Sequence, residues 1–138
     1  DRSIGIIDFA IKRRFISIYT PPNPSIIDEL CETTFNISLG DFLRVINERL
    51  YKNLKNRELK IGHALFLDEN NFDSKTNIFK WTPENFELLF NYKILPIIED
   101  YTKGNVDQIN SILGIKLGDR VTGEEFLQEL NIFLENEN

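Results

Sequence analysis

The chain of 138 residues contains no methionine, one cysteine (Cys31) and one histidine (His63). A single cysteine forms no internal disulfide, and these counts exclude a multi-histidine or cysteine-cluster metal site. A Ser-His-acid triad would have His63 as its base, but no Gly-x-Ser-x-Gly sequence accompanies it. We therefore expect no metal, no acyl-transfer site and no catalysis by this chain alone.

The sequence also lacks a GxxxxGK[ST] phosphate loop and any apolar run near the roughly 20 residues of a membrane helix. Its first residues are acidic and Asp8 interrupts the first apolar run, so no secretory signal is predicted. The single cysteine fits a reducing compartment, and we expect a cytoplasmic protein with no membrane partner. Because the chain starts with aspartate and has no methionine, we expect it to be a piece of a longer protein.

Charge is distributed unevenly along the chain. The net charge of −6 divides into +2 for residues 1–20 and −8 for residues 21–138. The larger, acidic part is predicted not to bind nucleic acid on its own, since such binding comes largely from neutralising phosphates. Eleven phenylalanines can fill a sizeable core of a soluble domain.

Two parts of the chain can be distinguished. Residues 4–14 predict a short helix capped by Ser3, and residues 15–20 (Phe-Ile-Ser-Ile-Tyr-Thr) predict a strand. No other clear strand run follows, so we expect the partners of this strand to lie upstream of Asp1. Three prolines within positions 21–24 mark a boundary. The prediction is a helix–strand remnant of an α/β core at 1–20 and a helical domain at 21–138.

The fold class predicted for the whole chain is mainly α, with about five helices after the prolines. The helix signals are Asn23 with Pro24, Ser38 with Asp41 (running to about Asn56), Thr82 with Pro83, residues 106–113 before Gly114, and Thr122 with Glu125 (running to about Glu135). Residues 61–67 are expected to be extended and residues 68–77 to be a surface loop. Pro96 predicts a kink or a break within a helix.

Arg13 and Arg14 end the first predicted helix and allow two interpretations. Cations at a helix C-terminus pair with the negative end of its dipole, which stabilises the helix by about 0.3–1 kcal/mol. Alternatively, a planar, permanently charged guanidinium at this position suits an arginine finger that reaches the phosphates of a neighbouring subunit. The residue pattern leaves both interpretations open.

Three segments resemble, in the same order, segments of AAA+ proteins of the McrB type. Residues 1–4 (Asp-Arg-Ser-Ile) and 8–15 (Asp-Phe-Ala-Ile-Lys-Arg-Arg-Phe) resemble the family's Asn-Thr-Ala-Asp-Arg-Ser and Asp-Tyr-Ala-Leu-Arg-Arg-Arg-Phe, at and after its sensor 1 motif. Residues 60–66 (Lys-Ile-Gly-His-Ala-Leu-Phe) resemble its Arg-Ile-Gly-His-Ser-Tyr-Phe. Residues 94–101 (Ile-Leu-Pro-Ile-Ile-Glu-Asp-Tyr) resemble its Ile-x-Pro-Leu-Leu-Glu-Glu-Tyr.

The chain departs from the family pattern at several positions. Lys12 replaces the first arginine of the basic triplet, while Ala64 and Leu65 replace the serine and the tyrosine. Hydrogen bonds from those two hydroxyl groups are therefore absent. Residues after Gly114 have no counterpart in the pattern.

The family is a GTP-hydrolysing motor of modification-dependent restriction systems. The resemblance implies a C-terminal fragment of such a subunit, made of the end of the AAA+ core and the helical lid. It places Asp1 in the sensor 1 loop and Arg2 next to it at a subunit contact. It makes Arg13 and Arg14 finger candidates acting across the subunit interface, without choosing between them.

The resemblance also implies that Gly62 and His63 lie in the lid near the nucleotide, the alternative for His63 being a hydrogen-bonded structural histidine. The parent protein would use GTP or ATP with Mg²⁺, none of which should bind this fragment alone. It would form a homohexamer, bind a McrC-type endonuclease and contact DNA only through an N-terminal region absent here. The rival interpretation is a helical protein–protein interaction module without a nucleotide role, which explains the helices and the acidic surface but not the strand preceded by two arginines.

Overall fold

The computed structural model describes residues 22–135. The predictions for residues 1–20, namely the remnant helix, the strand and the domain assignment, lie outside the described residues and stay predictions. The helical domain predicted from residue 21 onward is described from residue 22.

The described part of the chain is mainly helical, as predicted. Its α-helices are α1 (Pro24–Leu30), α2 (Leu39–Leu54), α3 (Pro83–Leu89), α4 (Leu95–Tyr101), α5 (Val106–Leu113) and α6 (Gly123–Glu135). A π-helical segment, Phe90–Ile94, joins α3 to α4, and short 3₁₀ turns cover His63–Phe66, Glu69–Asn71 and Leu117–Asp119. None of the helices within residues 22–135 is long and apolar enough to cross a membrane.

The first three helix starts in the described part follow the predicted capping signals. The side chains of Asn23, Ser38 and Thr82 each accept a hydrogen bond from a backbone N–H two or three residues ahead, at Ser25, Asp41 and Asn85. These bonds satisfy amides that have no partner inside the helix. The long helix α2 ends at Leu54, close to the predicted end at Asn56, and Lys55 follows in the left-handed conformation.

The expectation of no further strand after residue 20 is wrong. Strands β1 (Cys31–Thr33), β2 (Phe72–Asp73) and β3 (Ile78–Trp81) form a small sheet in the order β1-β3-β2. β3 pairs in parallel with β1 and antiparallel with β2. Because residues 22–135 contain strands, the location of the partners of residues 15–20 no longer follows from the sequence alone.

Tertiary contacts rather than local pattern hold this sheet. Phe79 and Trp81 are buried while Lys80 between them is exposed. The indole N–H of Trp81 donates to the carbonyl of Phe66 at 3.0 Å. β3 alternates in burial, but an alternation over two to four residues is too short to identify a strand from the sequence, and these strands depend on such distant partners.

Two further local expectations need correction. Residues 61–67 are not extended, because His63–Phe66 form a 3₁₀ turn. The loop predicted at residues 68–77 contains a 3₁₀ turn and the short strand β2.

Pro96 is the second residue of α4, which follows the π-helical segment, at the place where a kink or a break is predicted. Proline has no N–H, so the carbonyl four residues earlier, at Tyr92, loses its α-helical donor. The wider helical turn places Asn91 inside the protein, where its Nδ2 donates to the carbonyl of Val121 at 3.1 Å. The irregular turn therefore anchors the chain segment that leads into α6.

Aromatic rings form the centre of the core. Phe42 of α2 is fully buried, and its ring centroid lies 5.3–6.2 Å from those of Phe66, Phe86, Phe90 and Phe133. These rings come from four different elements, including the C-terminal helix. Helix α6 is therefore an integral part of the same core.

Polar contacts fasten both ends of α6. The amide N–H of Gly123 donates to Glu87 Oε1 at 2.7 Å, so Glu87 of α3 caps the start of the helix. Near its other end, the carbonyl of Phe133 accepts from Arg49, whose guanidinium also donates to the carbonyl of Ile112 in α5. One arginine thus holds the C-terminal ends of two helices against α2.

Helix α1 packs closely on the first turn of α2. A Cβ atom on Gly40 would collide with the carboxylate of Asp28 and lie 3.0 Å from the carbonyl of Pro24. Arg44 of α2 binds Asp28 at 2.7 Å across the two helices. Glycine at position 40 therefore permits the approach that the ion pair reinforces.

Candidate functional site

The predicted site residues fall into two groups. Asp1, Arg2, Arg13 and Arg14 lie outside the described residues, so their predicted roles stay predictions. Gly62 and His63 are described: Gly62 directly precedes the 3₁₀ turn, and His63 is its first residue.

His63 connects this turn to the start of the helical domain. Its side chain is buried, with 2% of its surface exposed, and Nδ1 accepts a hydrogen bond from the N–H of Asn23 at 3.1 Å. Asn23 is also the N-cap of α1. The histidine therefore fixes the point at which the chain enters the domain from the proline-rich boundary.

The second ring nitrogen of His63, Nε2, has no hydrogen-bond partner in the described part of the chain. Because Nδ1 accepts, a neutral ring carries its proton on Nε2, which becomes a donor. Nε2 is buried and has no hydrogen-bond partner within residues 22–135. A buried polar atom of this kind costs about 1–3 kcal/mol and calls for an explanation.

The segment that carries His63 is itself held from both sides. Asn47 of α2 bonds to both backbone groups of Ile61, accepting from its N–H at 2.7 Å and donating to its carbonyl at 3.0 Å. The hydroxyl of Tyr101 donates to the carbonyl of Lys60 at 2.8 Å. The backbone of residues 60–63 is thus fixed between α2 and α4.

Gly62 is exposed and has open space around it. A Cβ atom there would meet nothing within 4 Å, and the backbone has an ordinary negative φ of −84°. Packing within the described residues therefore does not require glycine at this position. The absence of a side chain leaves the backbone next to His63 open to close approach by another group.

Sequence reasoning missed the partners that position His63. Asn23 was recognised as a helix cap, but its bond to His63 spans 40 residues. Asn47 lies on the half-buried side of a predicted helix, where no local pattern distinguishes a structural amide from a solvated one. An asparagine among the apolar positions of α2 was the one available signal.

Cys31 is a poor candidate for chemistry. Burial raises the pKa of its thiol to about 12, so the nucleophilic thiolate is scarce at neutral pH. Its Sγ lies 3.4 Å from the carbonyl of Phe66, to which it donates. The residue behaves as part of the core, and residues 22–135 contain no group of three or more His, Cys, Asp or Glu side chains placed to hold a metal ion.

A surface cavity of about 290 Å³ lies elsewhere, beside α3. Its lining includes Asn71, Trp81, Asn85 and Tyr92, with Lys93 as its cation and Asp68 as its anion. A triphosphate needs several donors and cations around it. We therefore do not assign phosphate binding to this cavity.

Burial lowers the pKa of His63 below its usual 6.5, because the charged ring loses solvation, and this favours the neutral ring in the folded protein. The folded state then binds fewer protons than the unfolded state, and the resulting stability is present above pH 6.5 and is lost as the pH falls below it. We expect unfolding by urea to show a free energy that decreases from pH 7.5 to pH 5.5, with a slope of up to about 1.4 kcal/mol per pH unit from this group. His63→Asn should flatten that dependence; an unchanged slope in the variant would contradict it.

Comparison with known proteins adds one finding to this geometry. Residues 38–110 match the family model described as McrB, alpha-helical lid domain. No curated protein and no solved structure matches the chain. The matched residues cover more than half of the chain and run from the cap of α2 into α5, including the Gly62-His63 segment. The chain belongs to the McrB alpha-helical lid domain family.

Proposed function

We propose that this chain is the C-terminal part of an AAA+ NTPase subunit, a GTPase by family resemblance, of a McrBC-like DNA restriction system. Residues 1–20 would complete the AAA+ core and residues 21–138 would form the lid over its nucleotide. The match of residues 38–110 to the McrB lid family carries this proposal. The predominantly helical architecture of residues 22–135 supports it.

The junction between the two parts suits a lid that moves as one body. Asn23 lies within the proline-rich boundary and its N–H donates to His63, while α1 is held to α2 by the ion pair of Asp28 with Arg44. A displacement at the boundary would therefore be passed to the lid core instead of being absorbed in α1. Hinged closure of this kind couples nucleotide hydrolysis to rearrangement of an assembly.

His63 is the described residue best suited to respond to a nucleotide. Nε2–H is a donor that lacks an acceptor within residues 22–135, and the bases and sugars of nucleotides present acceptors. We assign it a contact with GTP or ATP in the closed lid, with the exposed backbone of Gly62 beside it. This contact requires lid closure to make Nε2, which is buried in the present structure, accessible to the nucleotide. The described residues offer no metal-ligand cluster, so Mg²⁺ would be held by the core and the phosphates.

The remaining parts of the proposal concern the assembly. Arg13 or Arg14 would act as the arginine finger on a neighbouring subunit of a homohexamer, with Asp1 and Arg2 at the sensor 1 loop. A McrC-type endonuclease would be the partner subunit, and DNA would be bound by an N-terminal region. The acidic charge of residues 21–138 supports placing DNA binding outside the lid.

Two substitutions of His63 in the full-length protein distinguish the roles of its two ring nitrogens. His63→Asn keeps an acceptor near the Nδ1 position for Asn23, whereas His63→Gln keeps a donor near the Nε2 position. We expect His63→Asn to weaken binding of a fluorescent GTP or ATP analogue about 2–10-fold, the effect of one hydrogen bond, and His63→Gln to weaken it less. Thermal unfolding of both variants checks that the fold is kept.

Two results would count against this proposal. Equal nucleotide affinity in the wild type and His63→Asn would restrict His63 to the structural bond with Asn23. Failure of the wild-type full-length protein to bind either nucleotide would favour the interaction module.

A further inference from the structure

The C-terminal end of α2 carries exposed cations around one tyrosine ring. The Arg57 guanidinium carbon lies 4.8 Å from the ring centroid of Tyr51, and Lys55 Nζ lies 5.9 Å from the same centroid. All three side chains are exposed. We call Tyr51, Lys55 and Arg57 the basic cluster.

The basic cluster has no counter-ion in the described part of the chain. The ion pairs of residues 22–135 involve other cations, and neither Lys55 nor Arg57 lies within 4.0 Å of a carboxylate there. Two like charges that share one ring repel each other, and the cation–π attraction at an exposed site is only about 0.5–1 kcal/mol. An anionic partner would relieve this repulsion.

The charge of the surrounding chain selects the kind of partner. Residues 49–60 carry a net charge of +4, whereas the rest of residues 21–138 carries −12. Such an acidic background repels nucleic acid at long range. The net charge also opposes the approach of a second copy, but the exposed carboxylates of that copy are locally complementary to the basic cluster.

Helix α6 offers the matching acidic surface. It carries four glutamates and no cation, and Glu124 and Glu125 are exposed in its first turn. Lys116 Nζ lies 3.5 Å from Glu125 Oε2, and this ion pair is exposed. Glu124 has no cation partner within residues 22–135.

The two charged surfaces lie at different ends of α6. Arg49 holds the C-terminal end of α6 beside the last turns of α2, where the basic cluster begins. Glu124 lies nine residues before Phe133, about 13 Å away along the helix axis. The surfaces are therefore better placed to meet between two copies than within one.

We propose that the basic cluster of one copy docks against the first turn of α6 in a second copy. The contact uses different surfaces on the two copies, so it is head-to-tail, and a ring requires the rotation between successive copies to close. It rests on the ring assembly that the proposed function includes, and it adds a lid-to-lid contact to that ring.

Charge reversal in the full-length protein tests this contact. Lys55→Glu with Arg57→Glu should raise the dissociation constant of the assembly about tenfold or more, because like charges then face each other. Lys75→Glu with Lys93→Glu is the matched control, since both lysines are exposed outside the cluster and the change in net charge is the same. Adding Glu124→Lys and Glu125→Lys to the first variant should restore assembly. Sedimentation velocity with nucleotide measures all four proteins.

Equal weakening by the cluster and control variants would overturn the contact, as would failure of the compensating changes to restore assembly. Loss of DNA binding with normal assembly in the cluster variant would assign the cluster to nucleic acid instead. A wild-type protein that hydrolyses nucleotide but stays monomeric would overturn the contact while leaving the nucleotide role intact. A wild type that assembles without binding nucleotide would instead remove the proposed function.

Discussion

Arg13→Ala or Arg14→Ala in the full-length protein should lower the rate of nucleotide hydrolysis by at least tenfold, and by about 10³–10⁵ if the residue is the sole arginine finger. The reason is that a finger neutralises charge that develops on the transferring phosphoryl group, and alanine removes that charge entirely. Lys12→Ala is the control. It removes the neighbouring cation, which is a lysine where the family pattern has an arginine. Steady-state phosphate release at saturating GTP or ATP measures the effect.

Subunit mixing makes the test specific for action across an interface. A subunit with a disabled phosphate loop keeps its own finger but cannot hydrolyse, whereas the finger variant keeps its catalytic site. Mixed assemblies of the two should recover part of the hydrolysis. If neither alanine substitution lowers the hydrolysis rate tenfold, the pair acts only on the helix dipole. Each substitution is then expected to cost only about 0.3–1 kcal/mol of stability.

Phe133→Ala should destabilise the chain by about 3–5 kcal/mol, a large part of the stability of a domain of this size. Phe133 is 3% exposed, its ring centroid lies 5.6 Å from that of Phe42, and the guanidinium carbon of Arg49 lies 4.3 Å from its ring. Removing the ring leaves a cavity at the junction of α2 and α6 and exposes one face of Arg49. Urea unfolding followed by circular dichroism measures the loss.

The adjacent residue supplies the control for this experiment. Ile132 is 45% exposed, so Ile132→Ala on the same helix should cost less than about 1 kcal/mol. Similar losses from the two substitutions would mean that α6 does not pack as described. The result matters because α6 lies beyond residue 110, where the match to the lid family ends.

Local signals in the sequence predicted the helices well. The caps at Asn23, Ser38 and Thr82 act over two or three residues, so side chain and spacing suffice to place them. The small sheet was missed because β2 and β3 are four residues long or less and owe their order to Phe66 and the aromatic core. Tertiary packing, and not strand propensity, decides such elements.

At the candidate site, too, the sequence indicates the residues but not the distant contacts that hold them. The family resemblance indicates Gly62 and His63 from the sequence, but the hydrogen bond from Asn23 to His63 joins residues 40 apart. The clamp from Arg49 to Phe133 spans 84 residues. No periodicity or short motif encodes these pairings, so they became visible only in the folded chain.

The most direct test of the central claim is the coding sequence upstream of Asp1 in the parent gene. A lid of a McrB-type motor predicts a GxxxxGK[ST] loop after a strand, a later acidic strand of the Walker B type, and Asn-Thr-x immediately before Asp1. An upstream region without a phosphate loop, or a start codon next to Asp1, would contradict the motor and leave a helical binding module.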